Sequence, residues 1–204
     1  MDRSHATVFV VDDDPAVLDS MVSLFTSVGL ATRTFADAKS FLADPSIEGP
    51  GCLVLDVRLP DLSGLELQDA LKARHIALPV ILITGNADVP MAVRGMLAGA
   101  IDFLEKPFSS HLLLERVEQA LRRDEEDRVK RQGLARARAL IGALTSRESS
   151  VVRMVTDGLA NKEMARLLGI TQKTVELHRA KAMRKLGATH VAQLVALELR
   201  ARAS

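Results

Sequence analysis

Short apolar runs alternate with amphipathic stretches over the first 122 residues of the chain. The runs are β-branched and apolar on both faces, as buried parallel strands require, except for a weaker second run. They lie at Thr7–Val11, Ala31–Phe35, Cys52–Leu55, Val80–Ile83 and Ile101–Leu104. Helical patterns follow them at Val17–Val28, Ala38–Leu42, Leu65–Arg74, Met91–Ala98 and Leu112–Leu121. This alternation predicts an α/β domain built on a five-stranded, doubly wound parallel sheet.

After residue 122 the pattern changes to helices only. Arg123–Arg138 is dense in charge, and we interpret it as a continuation of the last helix followed by a linker. Cap residues and glycine stops predict four further helices, at Thr145–Val155, from Asn161 to near Gly169, at Thr171–Leu186 and at Thr189–Leu199. The predicted boundaries are 1–122 for the α/β domain, 123–143 for a helical linker and 144–204 for an all-α four-helix domain.

Charge is divided unevenly between the two halves of the chain. Residues 1–122 hold 10 basic and 17 acidic side chains, a net charge of −7, whereas residues 123–204 hold 17 and 9, a net charge of +8. An acidic half joined to a basic half suggests nucleic acid as the partner of the basic half. The same net charges would also result if the two halves only differed in the charge of their solvent-exposed surfaces.

The cysteine count and the length of the apolar stretches indicate where in the cell the protein is found. The one cysteine, Cys52, excludes an intrachain disulfide and is expected to be a small core residue. The first six residues are polar, and no apolar stretch reaches the roughly 18 residues that a membrane span needs. We therefore expect no signal peptide, no membrane segment and a cytoplasmic protein.

Polar side chains follow the ends of four predicted strands. Asp12, Asp13 and Asp14 come after the first run, Asp56 after the third, Thr84 after the fourth and Lys106 just past the fifth. The carboxyl ends of strands in a doubly wound sheet form its binding crevice, so these groups are predicted to converge. Each also has an ordinary interpretation: Asp14 with Pro15 suits a helix cap, Asp56 could cap a turn, Thr84 could be a strand-end residue and Lys106 could be solvated.

Clustered carboxylates repel one another unless a cation lies among them. Mg²⁺ takes oxygen ligands and bridges carboxylates to phosphate oxygens, while a lysine balances a phosphoryl group as a point charge. A threonine hydroxyl can donate to a phosphoryl oxygen. The predicted pocket therefore suits the transfer of a phosphoryl group to a carboxylate.

Residues 7 to about 122 resemble the receiver domains of two-component systems, which have a CheY- or flavodoxin-like fold. The resemblance is carried by Val10-Val-Asp-Asp-Asp-Pro15, Leu55-Asp-Val-Arg-Leu-Pro60, Ile83-Thr84 and Glu105-Lys-Pro107. The segments Leu82–Val93 and Gly99–Phe108 are similar to the FixJ subfamily in particular.

This resemblance implies roles for the strand-end residues. Asp56 would accept a phosphoryl group from a sensor histidine kinase, and Thr84 and Lys106 would contact the phosphoryl oxygens. Mg²⁺ would be held by Asp12, Asp13, Asp56 and the backbone carbonyl of Arg58. Phe103 matches an aromatic switch position that acts with Thr84, although an ordinary core phenylalanine would look the same.

A phosphatase of the haloacid dehalogenase type is the alternative enzyme class. It would use an Asp-x-Asp after the first strand, with Asp12 as the nucleophile, and then a threonine and a lysine. Against this class, Asp14 fits a helix cap better than a catalytic role. The acidic metal motif that this family has late in its sequence is also missing, since Ile101–Lys106 resembles it only loosely. Asp56 and the basic domain would also have no role.

The second and third helices of the basic domain are joined by Leu168-Gly-Ile-Thr171, the layout of a helix-turn-helix. At 100° per residue, one side of the third helix holds Val175, His178, Ala182 and Leu186. The opposite side holds Lys173, Glu176, Leu177, Ala180, Lys181 and Arg184. We expect the first side to be core, His178 included, and the second to enter the major groove unless it is merely solvated.

The basic domain resembles the LuxR/NarL-type helix-turn-helix. The matching segments are Leu144–Glu148, Gly158–Ala165, Leu168–Ile170, Thr174–Arg179 and Met183–Gly187. The resemblance implies that base edges are contacted by Glu176, Leu177 and Ala180 and that phosphates are contacted by Lys173, Arg179 and Lys181. Thr174 and Arg184 complete the predicted DNA-binding set, and the helix from Thr189 would take part in dimerisation. Glu176 could instead only pair with Lys173 or Arg179 along the helix.

Together these resemblances imply a FixJ-like transcription factor, a phosphoprotein whose only catalysis is phosphoryl transfer to and from Asp56. We expect phosphorylation to dimerise the receiver through its fourth helix and fifth strand and to pair the DNA-binding domains on promoter DNA. RNA polymerase is a further expected partner, and activation the expected outcome. The alternative is a phosphorylation-independent DNA-binding protein with a degenerate receiver, against which the intact Asp13, Asp56, Thr84 and Lys106 argue.

Overall fold

The computed structural model of the protein describes residues 6–86 and 88–203. Its strands are β1 (Thr7–Val11), β2 (Ala31–Phe35), β3 (Gly51–Asp56), β4 (Val80–Thr84) and β5 (Asp102–Glu105). Its helices are α1 (Pro15–Ser27), α2 (Ala38–Leu42), α3 (Gly64–Ala73), α4 (Val89–Leu97), α5 (Ser110–Gly142), α6 (Ser146–Thr156), α7 (Asn161–Leu168), α8 (Gln172–Leu186) and α9 (Val191–Arg202). A short 3-10 helix that the sequence did not predict, Pro45–Glu48, precedes β3.

The described strands form one parallel sheet in the order β2-β1-β3-β4-β5. Strands β3 and β4 are buried at every position, which explains why their sequences are apolar on both faces. The strand order changes direction between β1 and β3, so a crevice opens at the carboxyl ends of these two strands. The predicted five-stranded, doubly wound sheet is confirmed.

Helices cover both faces of the sheet, because successive residues of a central strand pack into opposite layers. On one face, Val54 belongs to a core cluster with Phe25 of α1 and Val117 of α5. On the other face, the next residue, Leu55, belongs to a cluster with Leu67 of α3. The two layers hold the strand ends in fixed positions.

Cys52 lies within β3, opposite Val8 of β1, and is fully buried. Burial raises the pKa of its thiol far above the ordinary range, because a thiolate there would lack solvation, and the nearby carboxylate of Asp124 raises it further. The expectation of a small core residue is confirmed.

Aspartates cap three of the helices that follow the strands, α1, α2 and α4. Asp14 accepts a hydrogen bond from the backbone N–H of Ala16 at 2.9 Å, with Pro15 as the first helical residue, as the sequence predicted. Asp37 and Asp88 cap α2 and α4 in the same way. Such a cap contributes about 1 kcal/mol to a helix.

The second part of the chain is all-α, as predicted. Val152 of α6, Leu186 of α8 and Leu194 of α9 pack in one buried cluster. Met164 of α7 and Val175 of α8 pack in a second cluster. These clusters fix α7 and α8 as the two helices of the helix-turn-helix, joined at Gly169, whose φ is +65°.

The start of one helix differs from its prediction. Thr145 forms the predicted capping box with Glu148 at the start of α6. Thr189, however, does not begin α9, which starts at Val191 after His190. The backbone N–H and the hydroxyl of Thr189 both donate to the side-chain oxygen of Gln193, so this threonine lies just outside the helix and bonds into its first turn.

Helix α5 confirms that the helix continues past residue 122, and it extends to Gly142. The contacts group the chain into two compact units, one ending at Asp127 and the other beginning at Arg128. The predicted limits of the domains and of the linker stay predictions. Among the described residues, no helix combines the length and the apolarity that a membrane crossing needs.

Candidate functional site

Three carboxylates gather at the crevice between β1 and β3. Asp12 and Asp13 follow β1 directly, and Asp56 is the last residue of β3. A carboxylate oxygen from each lies within 4.8 Å of the others. Asp12 and Asp56 are buried, whereas Asp13 is exposed, so the cluster is open to solvent on the Asp13 side. The predicted convergence of these three residues is confirmed.

Lys106 reaches the same cluster from the end of β5. Its Nζ donates to Oδ2 of Asp12 at 2.6 Å and to Oδ2 of Asp56 at 2.6 Å. Burial alone would lower the pKa of Lys106, but its hydrogen bonds to both carboxylates raise it, so the ammonium stays charged. Burial raises the pKa of Asp12, an effect that the bond to Lys106 opposes.

The other oxygens of the two buried carboxylates are held by the backbone. Oδ1 of Asp56 accepts from the N–H of Arg58 at 2.8 Å, and Oδ1 of Asp12 accepts from the N–H of Asp14 at 3.0 Å. Each carboxylate is therefore oriented through one oxygen and faces the lysine through the other. Oxygen-only donors of this kind suit a hard divalent cation such as Mg²⁺.

Thr84 and Phe103 lie on the strands beside the acidic cluster. Thr84 is the last residue of β4 and is fully buried, and its hydroxyl accepts a long hydrogen bond, 3.4 Å, from the N–H of Asn86. The backbone N–H of Lys106 donates to the carbonyl of Thr84 at 2.8 Å, which aligns the two residues. Phe103 lies in β5 and is half-buried against a core cluster, so the structure leaves both of its predicted interpretations open.

The exposed side of α8 is the second candidate site. Val175, Ala182 and Leu186 are buried, and His178 is half-buried on the same side. The predicted opposite side is exposed to solvent at Lys173, Glu176, Leu177, Ala180, Lys181 and Arg184. Arg179 and Thr174 are half-buried, and the hydroxyl of Thr174 hydrogen-bonds that of Thr171 at 2.8 Å. The side of α8 predicted to face DNA is thus available to a partner.

Sequence reasoning missed three side-chain contacts next to these sites. Asn161 of α7 donates to the carboxylate of Glu176 at 3.3 Å. Lys185 of α8 donates to the carboxylate of Glu148 at 2.7 Å. Asp61, in the connection from β3 to α3, accepts from two backbone N–H groups of α2. Each contact joins residues that are 15 or more positions apart in sequence. Only the contact between Asn161 and Glu176 could have been anticipated, because a helix-turn-helix places the start of α7 beside the first turn of α8.

Comparison with known families matches both parts of the chain. Residues 8–118 match the family described as the response regulator receiver domain. Residues 142–197 match the family described as bacterial regulatory proteins, luxR family.

Similar proteins span nearly the whole chain. Nodulation protein W of Bradyrhizobium diazoefficiens is 42% identical over 192 residues, covering 94% of this chain and 85% of that protein. Transcriptional regulatory protein FixJ of the same organism is 40% identical over 196 residues, covering 95% of each. The low-resolution structure of the response regulator StyR is 43% identical with a TM-score of 0.88, covering 96% of this chain and 99% of that chain.

Proposed function

The chain belongs to the FixJ-like response regulators of two-component systems, with a receiver domain and a LuxR-type DNA-binding domain, and on that premise we propose that Asp56 is its phosphoacceptor. The family is one of transcription regulators, and its two domains imply a histidine kinase and DNA as partners. The observation that carries the assignment is the position of Asp56 at the end of the central strand β3. Its Oδ2 lies 2.6 Å from Nζ of Lys106, and it offers an oxygen within 4.8 Å of oxygens of Asp12 and Asp13.

In the proposed reaction a carboxylate oxygen of Asp56 forms a bond to phosphorus. The bond from phosphorus to the histidine nitrogen of the kinase breaks, and that nitrogen keeps the electron pair. Lys106 balances the charge of the phosphoryl oxygens, and Thr84 donates its hydroxyl to one of them. Apart from this transfer and the later hydrolysis of the acyl phosphate, we propose no catalytic activity.

The carboxylates beside Asp56 fit a metal site. Asp12, Asp13, Asp56 and the backbone carbonyl of Arg58 would hold Mg²⁺, which supplies positive charge opposite the phosphoryl oxygens. The three carboxylates offer oxygen atoms within 4.8 Å of one another, the donor type that this ion requires.

We propose that phosphorylation acts through Thr84 and Phe103 and leads to dimerisation through α4 and β5. Helix α4 supports this proposal because its apolar residues Val89, Val93, Met96 and Leu97 are exposed. An apolar patch of this kind on a small domain is typical of an interaction surface. Two copies related by a two-fold axis would each bury the same patch.

The DNA proposal places α8 in the major groove, with α7 as the supporting helix. Glu176, Leu177 and Ala180 would contact base edges. Phosphate contacts would come from Lys173, Arg179 and Lys181, and Thr174 and Arg184 complete the proposed DNA-binding set. The proposed outcome is activation of transcription in the cytoplasm, where a dimer on a two-fold operator would contact RNA polymerase.

Incubation of the 204-residue chain with acetyl phosphate and Mg²⁺ tests the phosphoacceptor. We expect the intact mass to rise by one phosphoryl group in the wild type and not in Asp56→Asn, because an amide oxygen is a poor nucleophile. Chelation of Mg²⁺ by EDTA is expected to suppress the reaction. Uptake by Asp56→Asn, or uptake that EDTA does not affect, would contradict the proposal; Asp37→Asn, outside the pocket, is the matched control.

A further inference from the structure

The connection from β3 to α3, residues 57–63, is held at both of its ends. At its start, Val57 donates to the carbonyl of Ile83 at 2.9 Å, and the N–H of Arg58 donates to Asp56. At its end, the N–H of Gly64 donates to the carbonyl of Val57 at 2.9 Å. A Cβ at Gly64 would lie 2.4 Å from the carbonyl oxygen of Asp56, so the start of α3 packs directly on the backbone of the phosphoacceptor.

The middle of this connection is held by a side chain. Oδ1 of Asp61 accepts from the N–H of Ala38 at 3.2 Å, and Oδ2 accepts from the N–H of Lys39 at 3.1 Å. These donors belong to the first turn of α2, where backbone N–H groups lack partners within the helix and favour a negative charge. Burial alone would raise the pKa of Asp61, but these N–H groups, with those of Asp61 itself and Leu62, lower it.

This attachment lies three residues from Arg58, whose backbone carbonyl is a proposed ligand of Mg²⁺. A carbonyl has no side-chain torsion of its own, so the backbone path between Asp56 and Asp61 alone decides where it points. Pro60, within this path, restricts one further dihedral. Leu59 and Leu62, which precede and follow Asp61 in sequence, both pack against the same apolar core cluster and limit movement of the loop.

We propose that Asp61 is a positioning residue of the phosphorylation pocket: it fixes the 57–63 connection to α2 so that the carbonyl of Arg58 faces the metal ion. The inference rests on the proposed function of Asp56. It makes α2, which carries none of the pocket's side chains, part of the pocket's support.

Asp37 provides a matched control, because it also caps α2 and its side chain hydrogen-bonds to Ser40 of that helix. Its Oδ1 accepts from the N–H of Ser40 at 2.7 Å. Loss of Asp37 therefore removes the bond to Ser40, whereas the N–H groups of Ala38 and Lys39, which Asp61 accepts from, are still present. A purely structural role of Asp61 as a helix cap predicts the same behaviour from both variants.

The test measures Mg²⁺ binding by isothermal titration calorimetry, without any phosphodonor, on the two-domain chain as wild type and as Asp61→Ala, Asp61→Asn and Asp37→Ala. We expect Asp61→Ala to raise the Kd for Mg²⁺ by about 10-fold or more, the usual effect of losing a group that orients a metal ligand. Asp61→Asn keeps one accepting oxygen and is expected to show a smaller increase. Asp37→Ala is expected to keep the wild-type Kd.

An unchanged Kd in Asp61→Ala, or an equal increase in Asp37→Ala, would overturn the inference. If circular dichroism shows that Asp61→Ala does not fold, the comparison of Asp61→Asn with Asp37→Ala decides by the same criterion. A wild-type chain that binds Mg²⁺ but takes no phosphoryl group on Asp56 would overturn only the proposed function. A wild-type chain that binds no Mg²⁺ would overturn the inference on Asp61.

Discussion

Among single residues, Glu176 raises the sharpest question about DNA recognition. It is the one acidic residue in the sequence of α8, and it lies on the exposed side among lysines and an arginine. A carboxylate near DNA phosphates lowers affinity unless a base donor compensates, and the amino group of cytosine is such a donor. Its bond to Asn161 holds the carboxylate at the start of the helix, where recognition helices meet base edges.

We predict that Glu176→Gln relaxes the preference at one operator position in each half-site by roughly 1–3 kcal/mol, because an amide can donate as well as accept. Selection of randomised DNA by the wild type and the variant measures this change. An unchanged sequence preference, with affinity altered equally for all DNA, would mean that Glu176 only pairs within the protein.

Asn161→Ala is a second test of the same contact. It removes the side chain that holds Glu176 but leaves the carboxylate itself available to a base. We expect weaker discrimination at the same operator position, and not a new preference there.

The pocket residues that could be predicted from the sequence are those at the ends of strands. Asp12, Asp56 and Lys106 were predicted to converge because the carboxyl ends of parallel strands meet at one edge, whatever the details of packing. The bond between Asp61 and α2 could not be predicted, since it depends on the path of a loop relative to a helix 22 residues away in sequence. Long-range contacts of this kind leave no periodic signal in the sequence.

Among the elements, α6 and α8 are connected by an ion pair in addition to their apolar packing. Glu148 belongs to the capping box at the start of α6, and Lys185 lies in the last turn of α8. The bond from Lys185, with those from Thr145, lowers the pKa of Glu148 to about 2. The pair therefore stabilises the fold while Glu148 is ionised.

This lowered pKa predicts an acid-dependent loss of stability in the DNA-binding unit. The contribution is fully present above the usual carboxyl pKa of 4.5 and is lost as the pH falls toward about 2, where Glu148 takes up a proton in the folded state. We expect Lys185→Met to lower the melting temperature at pH 7 and to reduce the further drop between pH 4.5 and 2. Thermal unfolding followed by circular dichroism measures both.

Lys181→Met, one turn earlier on the same helix, is the control for the loss of a lysine. It should leave the pH dependence of the melting temperature as in the wild type. Equal pH profiles for the wild type and Lys185→Met would show that the ion pair does not contribute to stability.

The limits of the elements show where local sequence signals suffice. Strands β1 and β2 have the predicted limits: Asp12 directly follows β1, and Gly29 and Asp37 lie two residues outside the ends of β2. The regular pattern of α5 ends at Leu121, and its predicted continuation into Arg123–Arg138 is confirmed, but the end of the helix at Gly142 was not predicted, because the charged residues beyond Leu121 form no continuous apolar face. Its later apolar residues, Leu140 and Ile141, pack against the core of the second unit, and that tertiary contact is not visible in the local pattern.

For the molecule as a whole, the exposed apolar side of α4 predicts how phosphorylation changes assembly. Val89 is 76% exposed and Leu97 is 82% exposed. Full burial of one leucine contributes about 1.5–3 kcal/mol, and a two-fold interface would bury it twice. We expect beryllofluoride, a phosphoryl mimic, to raise the dimer fraction in sedimentation velocity, and Leu97→Ser to weaken that dimer by about tenfold or more.

Val129→Ser is the control for this prediction, because Val129 is also an exposed apolar residue but lies in α5. It is expected to dimerise like the wild type. A chain that stays monomeric with beryllofluoride would contradict the dimerisation step while leaving the phosphorylation chemistry intact.

The enclosed thiol of Cys52 gives the receiver an internal reporter of its own opening. Thiol reagents attack the thiolate, and in β3 the group is both protonated and out of their reach, so modification has to wait until the sheet opens. Because the chain has no other cysteine, the rate of labelling measures the opening of this sheet and carries no contribution from a thiol in the DNA-binding helices. A ligand that binds only the closed pocket, such as Mg²⁺ with beryllofluoride, should slow the labelling in proportion to its occupancy. The labelling rate of Cys52 would then report ligand binding to the receiver.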